Sequence, residues 1–208
     1  MLYAATLTKD VNEQLKFYQA AADNFPKDIR TQNNVGYADL LLGKSDDAIA
    51  ALEKAKAIQN SDIVKNNLGF AYLQKGDYAK AEEYFTSMAT ATAESKFGLG
   101  ILATRKGEYD KAVNYFGNEP SYGLGLALLL KGDVNKAKVT LDALKDLGKS
   151  GKPSYIKAVV GARLDDRNYM LNNLREAIGF NSDWKAYAKT DLEFAKYFND
   201  DTFKSAVQ

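Results

Sequence analysis

The stretch Asn66-Asn67-Leu68-Gly69-Phe70-Ala71-Tyr72-Leu73-Gln74-Lys75-Gly76-Asp77-Tyr78-Ala79-Lys80-Ala81-Glu82-Glu83-Tyr84-Phe85 decides how the rest of the chain reads. Leu68, Gly69 and Tyr72 stand in the order Leu-Gly-x-x-Tyr, Gly76-Asp77-Tyr78 is a turn signal, and Ala81 and Phe85 lie four residues apart. The physical reading is two antiparallel helices. Small Gly69 and Ala81 let them approach closely, while Leu68, Tyr72 and Phe85 fill the space between. Gly76 can take positive φ after the first helix and reverse the chain at little cost.

The pattern recurs. Gly36, Gly43, Ala48 and Leu52 repeat Gly69, Gly76, Ala81 and Phe85 at a shift of 33. Gly100, Gly107, Ala112 and Phe116 follow at a shift of 31, and Gly125, Gly132, Ala137 and Leu141 at a further 25. The internal spacings of 7, 5 and 4 stay fixed, so residues are lost only from the second helix and its link. After Phe116 the pattern breaks at Gly117-Asn118-Glu119-Pro120, which limits that second helix to about two turns. A weaker copy runs from Pro153 to Leu164, turns at Asp165-Asp166-Arg167 and continues through Met170, Leu171, Leu174, Ala177 and Ile178. Met170 stands there in place of alanine and Asp165 in place of glycine, so close packing of this last hairpin is not expected from the pattern.

This order and spacing resembles the tetratricopeptide repeat, a helix–turn–helix unit of about 34 residues. The resemblance covers roughly residues 10 to 208 and is most specific from 29 to 145. It implies an all-α fold, a right-handed α-α superhelix of about five helix pairs with a C-terminal capping helix. The expected organisation is one domain, 1–208. Within it lie a partial repeat at 1–28, repeats at 29–61, 62–92, 93–117, 118–150 and 151–181, and a cap at 182–208. Leu15, Tyr18, Ala21 and Ala22 before Phe25-Pro26 resemble a second helix, which puts Met1 in mid-helix of a preceding unit. That suggests a piece excised from a larger protein, or an atypical N-terminal cap at 1–24. Ser182 or Asp183 is the expected N-cap of the capping helix. The apolar residues of 191–198 and 202–207 are expected to cover the last hairpin.

Composition narrows the chemistry. Of 208 residues 46% are hydrophobic and 26% charged, with 28 Lys and Arg against 27 Asp and Glu. So even a balance gives no global field for nucleic acid or an anionic membrane. Without cysteine or histidine there is no disulfide, thiolate nucleophile or imidazole base. The first residues lack the form of a signal peptide, and no apolar run is long enough to span a membrane. A soluble chain is expected, with the periplasm or cell envelope as a setting if it comes from a larger precursor.

The resemblance also implies which residues face the concave groove. They are positions 5, 9 and 12 or 13 of each first helix, counting Gly69 as position 8. These are Asn33, Tyr37, Leu40 and Leu41; Asn66, Phe70, Leu73 and Gln74; Phe97, Ile101, Thr104 and Arg105; and Tyr122, Leu126 and Leu129. Asparagine amides and rings suit an extended or helical peptide. The competing reading is that Asn33 and Asn66, with their neighbours Asn34 and Asn67, pair with adjacent helices and that Tyr37 and Phe70 pack against the next hairpin. A carboxylate clamp of the chaperone-binding kind is not expected, because its lysine and asparagine places hold Asn33 and Tyr37, or Asn66 and Phe70.

Other candidate chemistry reads as structural. Gly98-Leu99-Gly100-Ile101-Leu102-Ala103 fits a dinucleotide pattern but follows no strand, and Gly123-Leu124-Gly125 repeats it as a packing feature. The acid pairs Asp46-Asp47, Glu82-Glu83, Asp165-Asp166 and Asp200-Asp201 are sequence neighbours that do not converge. Lys145, Lys149 and Lys152 near a Gly-rich link form too small a patch for nucleic acid. The expectation is a non-catalytic scaffold, without cofactor or metal, that binds a peptide or partner helix. The alternative is a structural spacer or oligomerisation module, which could form a homodimer through its open N-terminal end.

Overall fold

The computed structural model describes residues 2–144 and 150–208, which are helical or irregular throughout. The expectations for Met1, for Lys145 and Lys149, and for most of the link around Gly148 lie outside the described residues. The helices fall into two compact units, one up to Lys106 and one from Gly107 onward. The first holds α1 (Leu2–Ala5), α2 (Val11–Asn24), α3 (Ile29–Leu41), α4 (Ser45–Ile58), α5 (Asp62–Lys75), α6 (Tyr78–Thr86) and α7 (Ala93–Arg105). The second holds α8 (Tyr109–Phe116), α9 (Tyr122–Lys131), α10 (Val134–Asp142), α11 (Lys152–Arg163), α12 (Arg167–Phe180) and α13 (Trp184–Thr190). A 3-10 turn (Leu192–Tyr197) and α14 (Asp201–Val207) complete it.

Local chemistry sets the helix ends. Asp10, Asp28, Ser61, Thr92 and Ser121 each accept a backbone N–H of the first turn, which satisfies a donor that the helix leaves unpaired. Four of the turns after α3, α5, α7, α9 and α11 use Gly43, Gly76, Gly107 and Gly132, all at φ between 76° and 96°. The fifth is Asp165 at φ 61°, a left-handed conformation that Asp tolerates better than most residues.

Glycine decides how closely the helices approach. A Cβ on Gly36 would lie 2.5 Å from Leu52 Cγ, and one on Gly69 2.6 Å from the Phe85 ring. A Cβ on Gly98 would lie 2.3 Å from that same ring, so Phe85 is held between its own hairpin and the following helix. In the second unit Gly123 gives way to Phe116 and Gly125 to Leu141 in the same manner. The Gly-x-Gly at 98–100 is thus a packing device.

The first core gathers Leu52, Val64, Leu68, Ala81, Phe85 and Leu102, and the second Leu129, Leu141, Val160, Met170, Leu174 and Phe194. Burial of such side chains contributes about 1.5–3 kcal/mol each before conformational entropy is counted.

Two expectations are corrected here. The fifth hairpin is closely packed, because Gly161 stands opposite Met170: a Cβ at Gly161 would lie 2.6 Å from the Met170 backbone nitrogen. Volume lost at 161 accommodates volume gained at 170, and Met170 is fully buried. Nor do Ser182 and Asp183 cap α13. Asp183 has helical φ and ψ and makes no side-chain cap bond, while its own N–H donates to Asn181 Oδ1 at 2.9 Å. The tail does cover the last hairpin. Trp184 stacks on Tyr155 with centroids 4.4 Å apart and donates Nε1–H to the Ser150 carbonyl, and Phe194 and Phe203 are buried.

Candidate protein-binding surface

The surface is built on α3, α5 and α7, which lie side by side in the first unit. Each begins at a side-chain cap, so its register is fixed and equivalent residues align across the three helices. A cross-helix bond joins α3 to α5, Asn67 Nδ2 donating to Asn33 Oδ1 at 2.9 Å. Gln74 Nε2 donates to the Leu40 carbonyl at 3.3 Å and ties the other ends of the same two helices.

The expected groove residues separate into three groups. Tyr37 (47% exposed), Leu41 (52%) and Phe97 (42%) present apolar area to solvent. Half-buried Phe70 and Ile101 pack against the core, with Phe70 edge-on to Phe85 at 5.0 Å. Leu40 is half-buried against that core, and Leu73 and Leu129 are fully within theirs. Position 12 therefore points inward, and position 13 outward as Leu41, Gln74 and Arg105. Thr104, also at position 12, spends its hydroxyl on the Gly100 carbonyl.

The asparagines behave differently from one another. Asn33 has given its acceptor to Asn67, and Asn66 Oδ1 is buried without a hydrogen-bond partner. Bidentate pairing of Asn33 and Asn66 with a peptide backbone is thus not preformed. In the second unit Tyr122 is half-buried, and burial raises its phenol above the ordinary value.

Sequence reasoning missed Ile63, while the bond from Asn67 to Asn33 fits the competing reading in which these asparagines pair with adjacent helices. Ile63 is 69% exposed and lies one turn before Asn66 and seven residues before Phe70, a helical spacing that was available in the sequence. It borders a cleft of about 410 Å³ that it shares with Ile29, Asn33, Asn34 and Val64.

The charges at the border are largely tied up. The Arg30 guanidinium holds the Asp28 carboxyl below its usual value, with Arg30 Nη2 2.6 Å from Asp28 Oδ2, and Arg105 Nη1 donates to the Tyr78 hydroxyl at 3.4 Å. What remains is apolar surface edged by amides. Among the described residues no cluster of acidic side chains is placed to hold a metal ion, and no helix is long and apolar enough to cross a membrane.

Comparison with known proteins agrees with this architecture. A tetratricopeptide-repeat family model matches residues 64–87. A chain of the APC/C hetero-tetramer Cut9–Hcn1 superimposes with a TM-score of 0.77 at 18% identity, over 96% of this chain and 40% of that one. The chain thus spans less than half the length of that relative. A tetratricopeptide-repeat protein from Parabacteroides merdae gives 0.65 at 16% identity over 95% of this chain and 76% of that one. YrrB, described as a tetratricopeptide-repeat protein with an unusual peptide-binding site, gives 0.56 at 18% identity over 84% and 98%. No curated protein matches the chain. Residues 64–87 thus match the tetratricopeptide repeat in sequence, and the chain shares the fold of solved tetratricopeptide-repeat proteins.

Proposed function

We propose that this chain is a non-catalytic protein-interaction scaffold, and that the face of α3, α5 and α7 takes a peptide or a partner's helix. The observation that carries the reading is the exposed apolar set of Tyr37, Leu41, Ile63 and Phe97 on three neighbouring helices. Apolar side chains gathered on one face, rather than scattered singly, mark interaction surfaces. The described peptide-binding site of YrrB, a chain of the same fold, supports the reading by analogy. The chain has no histidine or cysteine, which removes imidazole bases and thiolate nucleophiles. The division into repeats at 29, 62, 93, 118 and 151, with a cap from 182, belongs to the same reading.

The test is capture of partners by the natural chain and by a Tyr37→Ala/Phe97→Ala variant with unchanged circular dichroism. Both rings are exposed, so their loss should leave helicity intact and weaken capture at least tenfold. Equal capture by the two proteins would refute the reading. A second reading, a spacer or oligomerisation module, is favoured by one observation: Tyr3 (77%) and Leu7 (71%) leave apolar area uncovered beside α2. Light scattering over a range of concentrations tests the oligomerisation form of this second reading, which requires self-association that Tyr3→Ser/Leu7→Ser abolishes.

A further inference from the structure

We infer that the face of α3, α5 and α7 takes a proline-rich segment in the polyproline II conformation, with an apolar side chain at every third residue and a carboxylate at the α7 end. The inference rests on the reading of that face as a binding surface and names its occupant. Tyr37, Phe70 and Ile101 hold the same place on the three helices. The bonds from Asn67 to Asn33 and from Gln74 to the Leu40 carbonyl both join residues 34 apart, so α5 runs level with α3 between them. Phe70 therefore stands beside Tyr37, and Ile101 continues the row on α7, which packs against α5. Packed helices lie about 8–10 Å apart, and the row has that period. A polyproline II chain returns to the same face every third residue, about 9 Å further on. The same-face step is about 7 Å in a β-strand and about 5–6 Å in an α-helix, which fit the row less well.

Hydrogen bonding favours the same occupant. Three acceptors beside the row are withdrawn: Asn33 Oδ1 takes the Asn67 amide, the Leu40 carbonyl takes Gln74, and Asn66 Oδ1 is buried. The hydroxyl of half-exposed Tyr37 and the guanidinium of exposed Arg105 are donors. A proline-rich segment brings carbonyls with no internal bonds and few N–H groups, which suits a face of donors. A strand would bring N–H groups to acceptors already spent, and a helix keeps its backbone bonded to itself.

Charge sets the direction. Arg105 follows Ile101 by four residues, one helical turn along the same face of α7. Its guanidinium meets only the Tyr78 hydroxyl, at 3.4 Å, and no carboxylate among the described residues. The acids around it are already neutralised: Asp46 by Lys75, Asp77 by Lys80 and Glu82 by Lys106. Glu94, the acid of α7 itself, stands in the first turn at the opposite end. An uncompensated cation beside Ile101 is complementary to a carboxylate that follows the last apolar side chain of the segment.

The experiment is fluorescence anisotropy with two labelled, C-terminally amidated peptides of one composition. Leu-Pro-Pro-Leu-Pro-Pro-Leu-Pro-Glu keeps the three-residue period, and Leu-Pro-Leu-Pro-Leu-Pro-Pro-Pro-Glu breaks it. Saturable binding of the first is expected, at least tenfold tighter than that of the second. Tyr37→Ala and Arg105→Glu, both at exposed side chains and checked for folding by circular dichroism, should each weaken it about tenfold. A peptide with Lys in place of Glu should bind Arg105→Glu better than the natural chain. Lys54→Ala should change nothing. Absence of saturable binding at millimolar peptide overturns the inference, as does equal affinity for the two peptides or for the natural chain and Arg105→Glu. Should the peptide fail while Tyr37→Ala/Phe97→Ala still loses its captured partner, the inference falls and the face stands. Equal capture as well would remove both.

Discussion

Phe85 is held by glycine on two sides, and the chain repeats that arrangement wherever it puts phenylalanine at this place. Phe85 is followed by Gly98 and Phe116 by Gly123, while the smaller Leu52 and Leu141 are followed by Asn67 and Ile156 at the corresponding positions. A ring needs a bare backbone opposite it, and a leucine does not. Gly98→Ala should therefore cost about 1–3 kcal/mol, read as a lower urea midpoint. Phe85→Leu should relieve the clash, so that the double variant is destabilised by less than the sum of the singles. Additive losses would show that Gly98 is needed for another reason. Much of this was legible in the sequence, because glycine and its opposing residue keep a fixed spacing. The direction of positions 12 and 13 was not. Leu40 and Leu41 look alike as residues; successive residues of a helix point about 100° apart, and the packing of α3 against its neighbours decides which of the two faces inward. Similarly, Asn66 and Asn67 are chemically identical, and a rotation of one residue decides which reaches Asn33.

Helix pairs show where a pattern can be broken and still pack. In α11 and α12 the usual large and small residues have changed places, with Gly161 against the backbone of Met170. Because the close atoms are main chain, Gly161→Ala should be destabilising by about 1–3 kcal/mol and Met170→Ala should not rescue it. That outcome is the opposite of the one expected for Phe85 and Gly98, where the close atoms belong to a side chain. Met170→Ala alone should cost about 2–5 kcal/mol, since the side chain is fully buried. At the start of α13 the cap is Asn181 rather than Asp183. Asn181→Ala should cost about 1 kcal/mol in thermal or urea unfolding, and Asp183→Ala much less. The sequence made Ser182 and Asp183 plausible caps, because both residue types favour that position. Asp183 does stand just before α13, but with helical φ and ψ its side chain makes no cap bond, and Asn181 accepts its N–H instead.

For the molecule as a whole, charge is arranged locally. Lys75 at the end of α5 reaches Asp46 at the start of α4, Lys106 reaches Glu82 of α6, and Lys131 at the end of α9 reaches Asp110 of α8. Such pairs set register between successive helices more than they stabilise, being largely exposed and screened by salt. In the second unit, burial works to raise the Asp142 carboxyl, but bonds from Lys138, Tyr169 and Lys157 more than offset it and leave it lowered. The Arg163 guanidinium lowers Glu193, and the Phe203 N–H together with Arg167 lowers Asp200. A carboxyl depressed in the folded state stabilises above its unfolded value, and that contribution is lost as pH falls through the folded one. With no histidine in the chain, the melting temperature should be nearly flat from about pH 5.5 to 8.5 and fall below about pH 4. A step near pH 6.5 would contradict this account.

The face of α3, α5 and α7 is the central claim, and site-specific photocrosslinking tests it most directly. A photoreactive residue at Tyr37 reports on the exposed apolar face, and one at Lys54, exposed on α4, serves as the control. The account predicts a discrete protein adduct from position 37 and none from position 54. Adducts of equal yield at both positions, or at 54 alone, would contradict it.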